Sequence, residues 1–305
     1  MTPTQPQLQP QCSSRTQALW IVLGALLAFA AWSAINSRLP QAEVAESNFQ
    51  ANLIRLERWK LDPSPENVIV GSSIGARLLP QYFHGTTLDG MHNLCLDGSG
   101  PSLGLKLVLE STNQPRRVFI EVHRLGKPWH PNDAAVLAAA HGPGMRLAGV
   151  AAGFRAASRP TTRLFAWMKS RQDPAGSPAE PGKRVSEAAV ELHRATPSWE
   201  RDLAGDIEAL RLRGIGAALV RFPVGRENPP DAEAESGADR LARSLGVPLV
   251  DLYRESVRRK LNVTYTDNLH LTPRSAAAIS GLLAEAATEG GESKVESRKS
   301  KVGGN

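Results

Sequence analysis

Cysteine is nearly absent from this chain. Only Cys12 and Cys95 occur among 305 residues; Cys12 sits in a polar tail and Cys95 in a short apolar stretch that reads as a strand. That excludes a disulfide framework. There is no CxxC pair and no Cys/His spacing of a structural zinc site. The seven histidines are scattered, without the close i, i+3 or i, i+4 pair of a helical metal site, so no metal is expected. Aromatics are scarce at 5%, and no internal repeat is evident. The formal net charge is +6, which suits anionic partners such as phospholipid headgroups or acidic polymers. No DNA- or RNA-binding signature accompanies that charge, so nucleic acid is not expected as a partner. The glycines from Gly98 to Gly104 do not keep the G-x-G-x-x-G spacing, so no dinucleotide or other cofactor is expected.

One long apolar run is present. Ala18 to Ile35 is almost unbroken, and roughly 18 or more such residues suffice to span a bilayer as a helix. Trp20 and Trp32 stand near its ends, where interfacial aromatics belong. A cleaved signal peptide would have a shorter core, about 7–15 residues, and a small-residue cleavage site. The run therefore reads as an uncleaved anchor over 17–37, behind a Gln/Pro/Ser-rich tail at 1–16 expected to be disordered. Arg15 and Arg38 flank the run evenly, so basic residues give almost no orientation bias.

Beyond the anchor, at 41% hydrophobic content, there is enough for one sizeable domain, expected over 44–288. Val44–Leu61 reads as a helix. Short apolar strands are expected at Asn67–Gly71, His92–Leu96, Arg117–His123, Ala217–Phe222 and Pro248–Leu252. Helical patterns at Leu103–Glu110, Trp199–Arg213, Ala238–Leu245 and Ser275–Ala287 alternate with them. This order predicts an α/β fold, a five-stranded parallel sheet covered on both faces. Residues 126–197 are too long for a βα connection and read as an insertion with its own helices, mobile around 172–184. The polar stretch 289–305 is expected to be a disordered tail.

Two segments carry candidate chemistry. Val68-Ile69-Val70-Gly71-Ser72-Ser73-Ile74-Gly75 places serines at the carboxyl end of the first strand, where ligands of open α/β sheets bind. A helix is expected to start just beyond, its free N–H groups available to developing negative charge. Far downstream, Asp267-Asn268-Leu269-His270 offers a base and a group to orient it. A serine hydroxyl needs both. The Gly-rich turn Asp97-Gly98-Ser99-Gly100, after the second strand, exposes backbone N–H groups of the kind an oxyanion hole uses.

The order of these segments resembles the SGNH/GDSL hydrolase superfamily. Its Gly-Asp-Ser-Leu block is similar to Gly71-Ser72-Ser73-Ile74, which makes Ser73 the nucleophile. Its second block resembles Asn93 to Gly98, and its Asp-x-x-His block matches Asp267 and His270. The resemblance implies a flavodoxin-like three-layer α/β/α sandwich and a triad of Ser73, His270 and Asp267. The implied oxyanion hole uses the N–H groups of Ser73 and Gly98. In the third block the family has Gly-x-Asn-Asp; here Glu121-Val122-His123-Arg124-Leu125 departs from it. His123 stands where the asparagine would be, and a neutral imidazole N–H could donate in its place. With Ser in place of Asp in the first block, the chain looks more like membrane-anchored SGNH proteins that assist O-acylation of cell-envelope polysaccharides, as in alginate acetylation and teichoic-acid D-alanylation.

That resemblance implies an esterase or O-acyltransferase on the periplasmic side of the cell membrane. The partners it implies are the membrane, an anionic polysaccharide or an acyl donor protein. The altered third block keeps open a second reading, a catalytically inactive domain serving as a binding or assembly subunit of an envelope complex. One further segment stands out. Between Gly142 and Gln172, six basic residues, Arg146 to Arg171, occur with no acidic residue, interleaved with Phe154, Leu164, Phe165, Trp167 and Met168. It reads as a membrane-surface element, a contact for an anionic glycan, or a solvated basic face over an apolar packing face.

Overall fold

The computed structural model describes residues 14–40, 42, 44–62, 65–125, 127, 129, 131–171, 199–224, 237–267 and 269–302, with backbone alone at 14–15, 170, 237 and 289–302. The expected disordered start of the chain, up to residue 13, lies outside the described residues, as does the stretch around 172–184.

Five parallel strands form one sheet in the order β2-β1-β3-β4-β5. They are β1 (Asn67–Gly71), β2 (His92–Cys95), β3 (Arg117–Glu121), β4 (Gly216–Arg221) and β5 (Leu249–Asp251). β1 is central. The chain leaves it for the β2 edge and returns to β3 on its other side, so the topological switch lies between the carboxyl ends of β1 and β3. Crevices at such switch points are where α/β sheets bind ligands.

The strands are buried on both faces, which is why they read as continuous apolar runs. Val68 and Val70 of β1 face one core cluster, with Leu94, Val118 and Ile120. Against it pack α2 (Asn48–Leu61), α3 (Pro101–Leu109), α7 (Trp199–Leu212) and α8 (Gly237–Leu245). Ile69 points the other way, into a second cluster with Phe119, Val220 and Phe222. That face is covered by α9 (Leu252–Arg258) and α10 (Pro273–Val302), through Leu252, Ala276, Ile279 and Leu283. Single residues along β1 thus alternate between two separate cores, the period-2 consequence of the pleat.

Helix boundaries follow local chemistry. Ser47 caps α2, its hydroxyl accepting from the Gln50 N–H at 3.2 Å, so α2 begins later than the expected Val44. Pro101 opens α3 at the first helical position, where its missing N–H costs nothing. Asp251 caps α9 through the Arg254 N–H; this seven-residue helix is too short for periodicity to reveal. α10 runs on to Val302, past residue 289, where the composition predicted disorder. The Ala- and Leu-rich turns of its first half nucleate the helix.

The insertion carries α4 (Pro131–His141), α5 (Pro143–Val150) and α6 (Pro160–Arg171), with 3-10 turns at Ala152–Phe154 and Ala156–Ser158 between the last two. At the other end of the described chain, α1 (Ser14–Arg38) contains the apolar run; its Thr16–Arg38 portion, with mean hydropathy 2.2, is long and apolar enough to cross a membrane.

Candidate active site

Ser73 and His270 lie 197 positions apart in sequence and 2.8 Å apart in space, Oγ to Nε2. On the opposite side of the imidazole, Nδ1 stands 2.6 Å from Asp267 Oδ2. With Nδ1–H donating to the carboxylate, Nε2 is left to accept the Ser73 hydroxyl proton. The three residues expected to form a triad are therefore assembled in triad geometry.

The loop carrying His270 is built to fix it. Tyr265 and Leu271 form an antiparallel bridge, and the Thr266 N–H donates to His270 O at 2.8 Å. Leu271 is buried in the second core, which ties the loop to the sheet. Asp267 Oδ1 accepts the N–H groups of His270 at 2.8 Å and Leu269 at 3.2 Å. Partial burial pushes the Asp267 carboxyl up, but these backbone bonds and His270 together outweigh it and hold the group below the usual carboxylate range. Asp267 is thus kept ionised, as an orienting group must be.

The turn carrying Ser73 rests on a residue that sequence reasoning passed over. Glu121, at the end of β3, is fully buried. Its Oε2 accepts the N–H of Ser72 at 2.7 Å and of Gly75 at 3.2 Å; its Oε1 accepts the Ser72 hydroxyl at 2.6 Å. Three donors of one turn converge on one carboxyl group, and Ser72 is a structural neighbour rather than a rival nucleophile. The two glycines make room for this. A Cβ on Gly71 would fall 2.3 Å from Glu121 Oε2, and one on Gly75 would fall 2.6 Å from Cys95 Sγ. The only sequence signal was negative: a carboxylate closing the apolar run Val118-Phe119-Ile120.

Below the turn, Asn93 donates through Nδ2 to Gly75 O and Leu78 O, at 2.9 and 2.7 Å, and accepts the Cys95 N–H. Its side chain is spent on the backbone. Burial, then the charge of Glu121, pushes the Cys95 thiol well up, so it is a packing residue and not a reactive one.

The helix expected after Ser73 is a single 3-10 turn, Gly75–Arg77. No helix dipole of useful length exists there, so any oxyanion site depends on individual amides. Those of Ser73 and Gly98 have no acceptor among the described residues, and both residues line the same cavity. Gly98 adopts φ +81, which suits glycine. Asp97 beside it is fixed to α2: its N–H donates to Asn52 Oδ1 at 2.7 Å, and Arg55 donates to its carboxylate at 2.9 Å.

His123 does not take the place expected of it. β3 ends at Glu121, and His123 turns its ring to the end of β4. Its Nε2 lies 2.7 Å from Phe222 O and 3.0 Å from Phe222 N. The ring serves the backbone of Phe222, and Arg124, not His123, lines the cavity with Ser73.

That cavity has a volume of about 570 Å³. Ser73, His270 and Gly98 lie on its wall beside Tyr82, Leu79 and Phe165. Four cationic side chains line it, Arg55, Arg77, Arg124 and Lys169, against two carboxylates, Glu46 and Asp97. Arg55 and Asp97 neutralise each other, so the balance left to a ligand is positive. Among the described residues no cluster of His, Cys, Asp or Glu could hold a metal ion.

Compared with known proteins, the chain matches no protein-family model and no curated sequence.

Proposed function

We propose that this protein is a serine esterase or O-acyltransferase of the SGNH type, anchored by α1 in a membrane and acting on an ester outside the cytoplasm. The observation that carries the reading is the continuous pair of contacts Ser73 Oγ to His270 Nε2 to Asp267, at 2.8 and 2.6 Å, beside a cavity that can hold a substrate. The strand order 2-1-3-4-5 is the flavodoxin-like order and supports the same family.

The chemistry follows from the geometry. Ser73 Oγ attacks the ester carbonyl carbon as its proton passes to His270 Nε2. The imidazolium is stabilised by Asp267. The carbonyl oxygen, now carrying negative charge, is placed to meet the free amides of Ser73 and Gly98. Collapse of the tetrahedral intermediate breaks the ester C–O bond, and His270 returns the proton to the leaving oxygen. The acyl group stays on Ser73 until an acceptor hydroxyl, from water or a sugar, loses its proton to His270 and takes the acyl group over. The positive balance of the cavity favours a substrate carrying negative charge, such as an acidic polysaccharide.

Hydrolysis of a short-chain nitrophenyl ester by the purified protein tests this. Ser73→Ala should reduce kcat by about 10⁴ or more, while Ser72→Ala keeps activity and loses about 1–3 kcal/mol of stability, because Glu121 loses a partner. Equal turnover in wild type and Ser73→Ala would end the serine-esterase reading.

A further inference from the structure

The insertion touches α1 inside its apolar run. The ring of Phe154 packs against that of Phe29, tilted by 40° with centroids 4.4 Å apart. Gly153 sits so close that a Cβ there would fall 2.3 Å from Ser33 Oγ and 2.9 Å from a ring carbon of Phe29. Phe29, Trp32, Ser33 and Asn36 are the partly or fully buried positions of this stretch, one helical face at i, i+3, i+4 and i+7. At about 1.5 Å per residue, Phe29 lies roughly 9 Å along the axis from Ile35, the end of the run. If Ile35 marks the boundary of the hydrocarbon, the turn Ala152–Phe154 lies beneath it.

Further along α1, contacts change character in the order a bilayer requires. α6 meets the helix near its polar end: Arg163 donates from Nε to Asn36 Oδ1 at 2.9 Å and from Nη1 to Pro40 O. Thr161 and Thr162 bind Glu46 in the segment that leaves the anchor. Several large apolar side chains of this region keep much of their surface exposed: Val150 is 81% exposed, Phe154 44% despite its contact with Phe29, Leu164 57%, Trp167 52% and Met168 45%. Lys169 and Arg171 are exposed beside them and lie over the rings of Phe165 and Trp167. Aromatic rings with cations at their edge are the composition of a membrane interface.

We infer that the 142–171 insertion is a bilayer-embedded collar: the 150–154 turn dips into the acyl region beside α1, and α6 lies at the level of anionic phospholipid headgroups. This rests on reading α1 as a membrane anchor. Continuity with the exposed apolar surface of α1 and the absence of any carboxylate from 142 to 172 single out a lipid surface as the occupant. One consequence concerns the reaction centre. The cavity holding Ser73 is walled in part by Ala45 and Ser47, which leave the anchor, and by Phe165 and Lys169 of α6. The cavity therefore sits beside the headgroup layer, where an ester carried by the membrane can reach it.

Site-directed spin labelling of the full chain tests this in vesicles of phosphatidylcholine and phosphatidylglycerol. Cys12→Ser removes the tail thiol, and Cys95 is buried. Single labels are placed by Gly24→Cys in α1, Val150→Cys, Phe154→Cys, and Leu212→Cys at an exposed position of α7. Accessibility to oxygen is compared with accessibility to a water-soluble nickel chelate. The expected result is an oxygen-to-nickel ratio several-fold higher at 24, 150 and 154 than at 212. A high ratio at 24 with positions 150 and 154 equal to 212 would overturn the collar and leave the anchor standing. Labels at 150 and 154 shielded from both reagents would also overturn it, showing a protein surface there instead of lipid. A low ratio at 24 would remove the anchor, and the collar with it.

Discussion

Glu121 does for the turn carrying Ser73 what Asp267 does for His270: it uses a carboxyl group for orientation. Replacing it with alanine leaves the amides of Ser72 and Gly75 and the Ser72 hydroxyl without an acceptor in a fully buried place. A loss of about 3–5 kcal/mol is expected in chemical denaturation. Glu121→Gln should lose less, because its amide oxygen can accept both N–H groups and its amide nitrogen can donate to Ser72 Oγ. Equal stability of Glu121→Ala and wild type would show that the turn holds itself. His123 gives the converse expectation. Its ring bonds the backbone of Phe222, so His123→Ala should lower the melting temperature and leave the proposed esterase turnover of the folded protein within a few-fold. A drop of about 10²–10³ in kcat at unchanged stability would instead return it to the oxyanion site. The difference between these residues marks the limit of the sequence. Ser73, Asp267 and His270 were legible because each lies in a short local pattern and their order along the chain is informative. The role of Glu121 depends on contacts reaching across 46 to 49 positions, and His123 was misread because β3 ends two residues before it.

At the scale of elements, the joint between α2 and β2 carries a titrating group. His92 at the start of β2 packs edge-on against Trp59 of α2, at 5.5 Å between centroids, and its Nε2 lies 3.3 Å from Arg55 O. Burial, with the charge of Arg58 adding to it, brings the His92 imidazole down to about 4 despite that hydrogen bond. In the unfolded chain the group takes up its proton near pH 6.5. Between about pH 6.5 and 4 the unfolded state therefore binds the extra proton, and stability falls as pH drops through this window. The contribution is complete above pH 6.5 and amounts to about 3 kcal/mol. Urea denaturation at pH 7 and pH 4.5 should show it, and His92→Gln should remove that part of the difference. An unchanged pH dependence in the variant would place the titration elsewhere. The five strands and the helices between them were legible for the reason that makes this joint tight: a parallel sheet buried on both faces needs unbroken apolar runs, and Val68, Ile69 and Val70 feed two different cores. α9 was not legible, being shorter than two full periods of a helical pattern. The helix expected after Ser73 contracts to one 3-10 turn because Gly75 must pass close to Cys95 and Glu121.

Taken whole, the molecule brings three parts of the chain to one sheet edge: the turn after β1, the loop before α10, and the segment that follows the apolar helix. The docking of the insertion on α1 could not be read from sequence, since neither Phe29 nor Phe154 belongs to a pattern that names the other; composition alone left that basic stretch with three readings. The central proposal is that Ser73 is an activated nucleophile in the folded protein. The most direct measurement is covalent labelling with a fluorophosphonate in detergent or vesicles, read by intact mass and peptide mapping. One adduct per chain is expected on Ser73, absent in Ser73→Ala, and slowed by about 10³ or more in His270→Ala, because the hydroxyl then has no base. A folded protein that takes up no label, or takes it up equally after Ser73→Ala, would contradict it.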